Sequence, residues 1–207
     1  MSWRLRKKDS GGGALTDLGI HLFDLVIFLL GKADWIQCHA RTFIQERPIN
    51  SGSRSLEVVD VDDWAVCTLG MQCGATGTIE VTRLAGGVNE KIGMEIIGSR
   101  GTLKVDFDNP MTCHYFDARR SQWLSGPLDL PPQTGMNPIE ALWPPTKQSL
   151  GFMLNAHLAS AYDFLRCIKE EKPSMVNFEA ALEAQELLEA AYLSADRNGQ
   201  RISLPLD

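Results

Sequence analysis

Residues Asp62 to Ala85 read DDWAVCTLGMQCGATGTIEVTRLA, and apolar and polar positions alternate through most of that stretch. Successive side chains on a strand point to opposite faces, so a period of two marks a strand with one face buried. The pattern predicts two strands joined by the turn Gln72-Cys73-Gly74. In the first, Trp64, Val66 and Thr68 share a face. In the second, Thr76, Thr78, Glu80 and Thr82 share a face opposite Ile79 and Val81. A turn this short joins antiparallel neighbours, because a parallel pair needs a crossover of about a dozen residues. One face is apolar and the other rich in Thr and charge, so helices are expected on one side only.

Working outward, Trp35 to Gln45 (WIQCHARTFIQ) is β-rich. Lys91 to Ser99 (KIGMEIIGS), Gly101 to Phe107 (GTLKVDF) and Met111 to Asp117 (MTCHYFD) continue as short strands. Ser99-Arg100-Gly101 and Asp108-Asn109-Pro110 are the turns between them. Residues 125–147 hold six of the ten prolines and read as a loop, and loops this long are commonly functional or lie at interfaces. Ser149 to Lys172 places Phe152, Leu158, Tyr162, Leu165 and Ile168 at helical spacing, and Pro173 stops that helix. Phe178 to Gly199 is a second helix, with Asn177 as N-cap and Gly199 as C-cap, and Gln200 to Leu206 is an extended tail. The expected fold is α+β, an open-faced, mostly antiparallel sheet with helices packed on one face.

Ahead of the strands lies Ser10 to Gly31, SGGGALTDLGIHLFDLVIFLLG. Leu15 to Leu30 reads as a helix apolar on nearly every side, hence buried, ending at a C-cap Gly31. Into it are set Asp17, His21 and Asp24. Residues four apart on a helix stack one turn apart. A carboxylate one turn from an imidazole can hold the ring's orientation and tune it for acid/base work. The same pair also serves as plain structure. As metal ligands the pair would be two, but nothing else in the chain offers an obvious third, and no metal is expected.

Bulk composition narrows the classes. The chain has 207 residues, 44% of them hydrophobic, and a net charge of -6. An acidic chain whose basic run is confined to Arg4–Lys8 is not expected to bind nucleic acid. The five cysteines form no CxxC and have no His at zinc-finger spacing, so reduced thiols in a cytoplasmic protein are expected. The charged first ten residues do not read as a signal peptide, and the apolar run Leu25 to Leu30 is short for a membrane span, so no membrane is expected. A G-x-G-x-x-G fingerprint, a P-loop, H-E-x-x-H and G-x-S-x-G are all absent from the sequence.

The segment Gly11 to Asp24 resembles the G-G-G-x-L-x-D-x-G-x-H-x-x-D motif of the glucose–fructose oxidoreductase / inositol dehydrogenase / rhizopine catabolism (Gfo/Idh/MocA) family. MEIIGSRGTLKVDF resembles the strand–turn–strand of that family's second domain, and PSMVNFEAALEAQELLEAAYLSADRNGQRISLPL its C-terminal helix and tail. The likeness runs from Ser10 to Leu206. It implies that residues 1–207 are a single C-terminal domain, of substrate binding and dimerisation, with the N-terminal NAD(P)-binding Rossmann domain missing. It also implies hydride transfer between NAD or NADP and a hydroxyl carbon of a sugar or polyol. His21 would be the acid/base, and Asp17 would bind substrate and orient it or His21. The dinucleotide would not be held by this chain alone, which is expected to be inactive by itself. Gly12 and Gly13 would allow a close approach of cofactor. The family's Lys in an E-K-P motif belongs to the missing half. Glu170 to Pro173 (EEKP) carries those letters only at a helix end.

Arg83, Asn155 and His157 are further candidates for substrate contact, whereas His39 and His114 read as surface or packing residues. A dimer or tetramer through the sheet is expected, with Thr76, Thr78, Glu80, Thr82 and Arg83 as a possible dimer surface. The alternative is a non-catalytic dimerisation or carbohydrate-binding module that retains the fold.

Overall fold

The computed structural model describes residues 1–88, 91–106, 113–126, 152–174 and 176–206. They divide into two compact units, Met1–Leu84 with Pro173–Asp207, and Ala85–Lys172. The first unit opens with a 3-10 turn (Trp3–Leu5) and the single turn α1 (Lys7–Ser10), then runs through a π turn (Leu15–Gly19) into α2 (Ile20–Leu30). There follow β1 (Ala33–Arg41), β2 (Glu46–Pro48), β3 (Leu56–Val58), β4 (Trp64–Met71) and β5 (Thr76–Thr82). The second unit holds β6 (Gly93–Gly98), β7 (Gly101–Asp106), β8 (Cys113–Asp117), β9 (Gln122–Gly126) and α3 (Phe152–Glu170). The first unit resumes with α4 (Phe178–Asp196) and β10 (Ile202–Ser203).

The sheet of the first unit runs β10-β1-β4-β5 and is antiparallel throughout. Its alternation is the predicted one. Ile36, Cys38, Ala65, Cys67, Leu69, Ile79 and Val81 point into the core, and Gln37, Thr68, Thr76, Thr78 and Glu80 point out. α4 closes the inner face with Leu187, Leu188, Ala190 and Ala191, and α2 adds Phe23. Each large apolar side chain so buried is worth about 1.5–3 kcal/mol. β10 pairs with β1 only at Trp35 and Ile36. Beyond it, the Ser194 hydroxyl of α4 accepts from the Cys38 N–H at 2.8 Å, satisfying a buried donor that the short strand leaves open.

Two predicted caps form: Asn177 accepts from the Ala180 N–H at 2.9 Å, and Gly31 caps α2 with φ 83°. The third is displaced: α4 ends at Asp196 with Arg197 as C-cap and Asn198 left-handed (φ 56°), so Gly199 lies beyond the cap, its N–H on Ser194 O at 2.8 Å. Three further features depart from expectation. A two-stranded ribbon, β2 with β3, fills part of the interval between β1 and β4. β9 takes residues 125 and 126 out of the predicted loop, whose remainder lies outside the described residues, as does the Asp108-Asn109-Pro110 turn. And α2 is not buried all round. Phe23 is its one buried residue, while Phe28 and Leu29 are 69% and 43% exposed. By length and composition alone, Lys7–Leu30 reaches the mark for a membrane-spanning helix, a longer apolar stretch than the run Leu25 to Leu30 suggests. Here it is broken at the glycines, and Ala14, Leu15 and Phe23 belong to the core shared with the sheet.

The second unit is an antiparallel meander, β6-β7-β8-β9, with α3. Glu95 and Lys104 pair across β6 and β7 at 3.2 Å, and Phe116 and Trp123 meet across β8 and β9 with ring centroids 5.4 Å apart.

Candidate functional site

Asp62 and Asp63 precede β4 and are buried. Buried carboxylates need donors, and these two take them from backbone N–H groups and, for Asp62, from one phenol. Asp63 accepts from the N–H groups of Phe43 and Ile44. Asp62 accepts from the N–H groups of Gly13 (2.9 Å) and Leu15 (2.8 Å) and from the Tyr192 hydroxyl (2.8 Å). Its carbonyl accepts from the Ala14 N–H at 2.9 Å. Because Tyr192 gives its single proton to Asp62, its oxygen acts as acceptor toward the Gly13 N–H (3.2 Å) and the Thr16 hydroxyl (2.9 Å). Burial, offset in part by the Thr16 hydrogen bond, pushes the Tyr192 phenol above its ordinary range.

This network explains the glycines. A Cβ at Gly12 would overlap Thr16 and Tyr192, and one at Gly13 would overlap the Asp62 backbone. The close approach visible at both is therefore to the protein's own interior. These glycines form no open nest of N–H groups for a pyrophosphate, because the Gly13 N–H is already given to Asp62 and Tyr192.

Clamped at its start, the chain winds a π turn in which the Ile20 N–H reaches back to Leu15 O. Such one-residue expansions of a helix occur often at functional sites. Asp17, His21 and Asp24 emerge from it exposed, with Phe28 one turn further on. They form an outward stripe spaced four, three and four residues apart. Asp17 does not hold His21, which makes no hydrogen bond to any described residue. Its partner is Arg83, whose Nη2 donates to Asp17 Oδ2 at 2.8 Å and to Gly13 O at 3.2 Å. Arg4 stands off the same oxygen at 4.0 Å. The structure thus brings Asp17, His21 and Arg83 into one unit. Asn155 and His157 lie on α3 in the second unit, the first buried and the second exposed. Among the described residues no cluster of three or more His, Cys, Asp or Glu is arranged to hold a metal.

Asp62, Thr16 and Tyr192 carry the architecture of the site, and sequence reading passed over them. The acidic pair Asp62-Asp63 at a strand start was the available signal, since two carboxylates beside buried strand residues must find donors. His39 packs over Gly199, where a Cβ would overlap its ring. His114 sits on β8 with its Nδ1 2.7 Å from the Ser125 hydroxyl.

The profile of the GFO/IDH/MocA C-terminal domain matches residues 1–104. Levoglucosan dehydrogenase of Pseudarthrobacter phenanthrenivorans is 27% identical over 215 residues, covering 92% of this chain and 53% of its own. Among solved structures, an oxidoreductase domain protein from Kribbella flavida is 31% identical with a TM-score of 0.84, over 100% of this chain and 55% of its own. Levoglucosan dehydrogenase in complex with NADH and levoglucosan is 27% identical with a TM-score of 0.81, over 99% and 53%. The chain spans about half the length of the relatives it matches over most of its own length. A motif-bearing turn, a one-sided antiparallel sheet and a matching profile over half the sequence agree: this chain belongs to the GFO/IDH/MocA family.

Proposed function

We propose that this chain is the substrate-side domain of an NAD(P)-dependent oxidoreductase acting on a hydroxyl of a sugar or polyol. The observation that carries the reading is the outward Asp17–His21 pair, raised on a clamped π turn within a chain of this family. The NADH and sugar complexes of levoglucosan dehydrogenase support NAD and a sugar-like substrate. The residues around Gly12 and Gly13 do not fit a pyrophosphate, so the dinucleotide belongs to a domain outside this chain, where it would supply the hydride acceptor. What this chain contributes is proton handling and orientation. His21, exposed and without a hydrogen-bond partner among the described residues, takes the hydroxyl proton during oxidation and returns it during reduction. Asp17 accepts a hydrogen bond from a substrate hydroxyl and so fixes which carbon faces the hydride acceptor.

In the full-length protein, His21→Ala lowers turnover of its sugar or polyol at least about 10²-fold, the low end for loss of an acid/base. Steady-state kinetics across a polyol panel that includes levoglucosan checks this, and a near-normal rate removes His21 from the mechanism. The non-catalytic module remains the second reading, because the commitment of Asp17 Oδ2 to Arg83 also suits a purely structural pair. Self-association through the outward Thr-rich face of the first sheet fits both readings, and sedimentation of a Thr78→Arg variant tests it.

A further inference from the structure

Arg83 follows the last residue of β5, with its own N–H on Asp63 O at 2.9 Å. Its side chain is 18% exposed, and its guanidinium is bound at three points. Nη2 donates to Asp17 Oδ2 and to Gly13 O, and Nη1 donates to Arg4 O at 3.4 Å. Both N–H groups of Nη2 are therefore spent on the protein itself, and the donor that faces Asp17 has none left for a ligand. Gly13 O also accepts from the Asp17 N–H at 3.0 Å. One planar head thus grips the backbone at the start of the turn and the carboxylate that the turn presents.

We propose that Arg83 is a positioning residue that acts on substrate through Asp17 and not by direct contact, an inference that rests on the role given to Asp17 above. An unrestrained aspartate samples three staggered rotamers. With Oδ2 held by Arg83, a single orientation is selected and Oδ1 is the oxygen offered to a substrate hydroxyl. Stability is a poor reason for the pair, since Asp17 is 44% exposed and such ion pairs contribute little. Geometry is the better one. Lysine has one ammonium on a flexible stem, and it cannot reproduce a fork that reaches a carboxylate and two carbonyls together.

The test is a double-mutant cycle in the full-length protein, with levoglucosan and L-sorbose as the first probes of a polyol panel and NAD+ or NADH as the second substrate. Thermal unfolding is followed on every variant. Arg83→Met is expected to lower kcat/KM roughly 10- to 100-fold, the scale of a small misplacement of a reacting group, with Arg83→Lys in between. Asp17→Asn/Arg83→Met is expected to be no slower than Asp17→Asn, because Arg83 has nothing to position once the carboxylate is gone. An Arg83→Met rate near that of the wild type overturns the inference. So does a double variant slower than Asp17→Asn by the full Arg83 factor, which would mean direct contact or general damage. If Asp17→Asn and His21→Ala themselves turn over normally, or the wild type does not turn over at all, it is the reading of the site that fails, and this inference with it.

Discussion

At Gly13 a methyl group has nowhere to go. Its space is occupied by the backbone of Asp62, and backbone cannot rotate aside. Gly13→Ala is expected to cost about 1–3 kcal/mol, the range for forcing extra volume into a packed site. Gly11→Ala meets no atom within 4 Å and pays only for its left-handed φ of 78°, about 1–2 kcal/mol. Urea unfolding of the two variants separates steric from conformational penalty, and an undisturbed Gly13→Ala midpoint would mean that the turn is not clamped as described. Tyr192 gives a pH signature. Its phenol is held in the neutral form by burial, so the folded-state pKa lies above the ordinary value of 10. The folded chain keeps that proton where the unfolded chain loses it. The resulting stability is whole below pH 10 and is lost as pH rises toward the folded-state value. Tyr192→Phe should flatten the alkaline limb of a stability curve, and an unchanged limb would assign that slope elsewhere, with the buried Cys67 thiol the next group to suspect. Asp17, His21 and the two glycines were legible because they sit within one short motif. Asp62 and Tyr192 were not, since hydrogen bonds spanning 49 and 179 positions leave no local periodicity.

Among the elements, α4 shows how much a strong local pattern can say. The helix itself and its N-cap Asn177 were predicted and are present, although it ends at Asp196 with Arg197 as C-cap, short of the predicted Gly199. Asn177→Ala removes the acceptor of the Ala180 N–H and is expected to cost about 1 kcal/mol, read from the denaturant midpoint. No loss would mean that water caps the helix as well. The β2–β3 ribbon was invisible for the opposite reason. Its strands are three residues each, Glu46–Pro48 is exposed throughout, and a proline inside a strand argues against one. What holds the ribbon is remote, a two-pronged Arg6–Glu57 pair at 2.6 and 2.8 Å. The apolar surround of α2 predicted a helix buried on every side, and the structure does not bear that out. Phe23 is buried and Ile20, Leu22, Val26, Ile27 and Leu30 pack partly against the core, while Phe28 and Leu29 stay exposed. The π turn was also hidden, because one extra residue in a helix barely shifts a hydrophobic period.

For the whole molecule, the buried apolar core among the described residues falls within the first unit, from Ala14 to Val81 and from Leu187 to Ile202. A protein in which a flexible linker replaces residues 85–172 is therefore expected to unfold cooperatively by calorimetry. A broad, heatless transition would show that the second unit is needed to complete the fold. Fold class and family motif were readable because both reside in this discontinuous first unit, whose strands alternate cleanly. The discontinuity also has a consequence for synthesis. The turn that presents Asp17 and His21 is made long before Tyr192, which holds it from behind and comes 179 residues after Gly13. Until Tyr192 is made, Asp62 is the turn's available clamp, and the apolar helix has no complete α4 beside it. Release before Tyr192 is made would leave the turn without its phenol support and the apolar face of α2 without its helix partner.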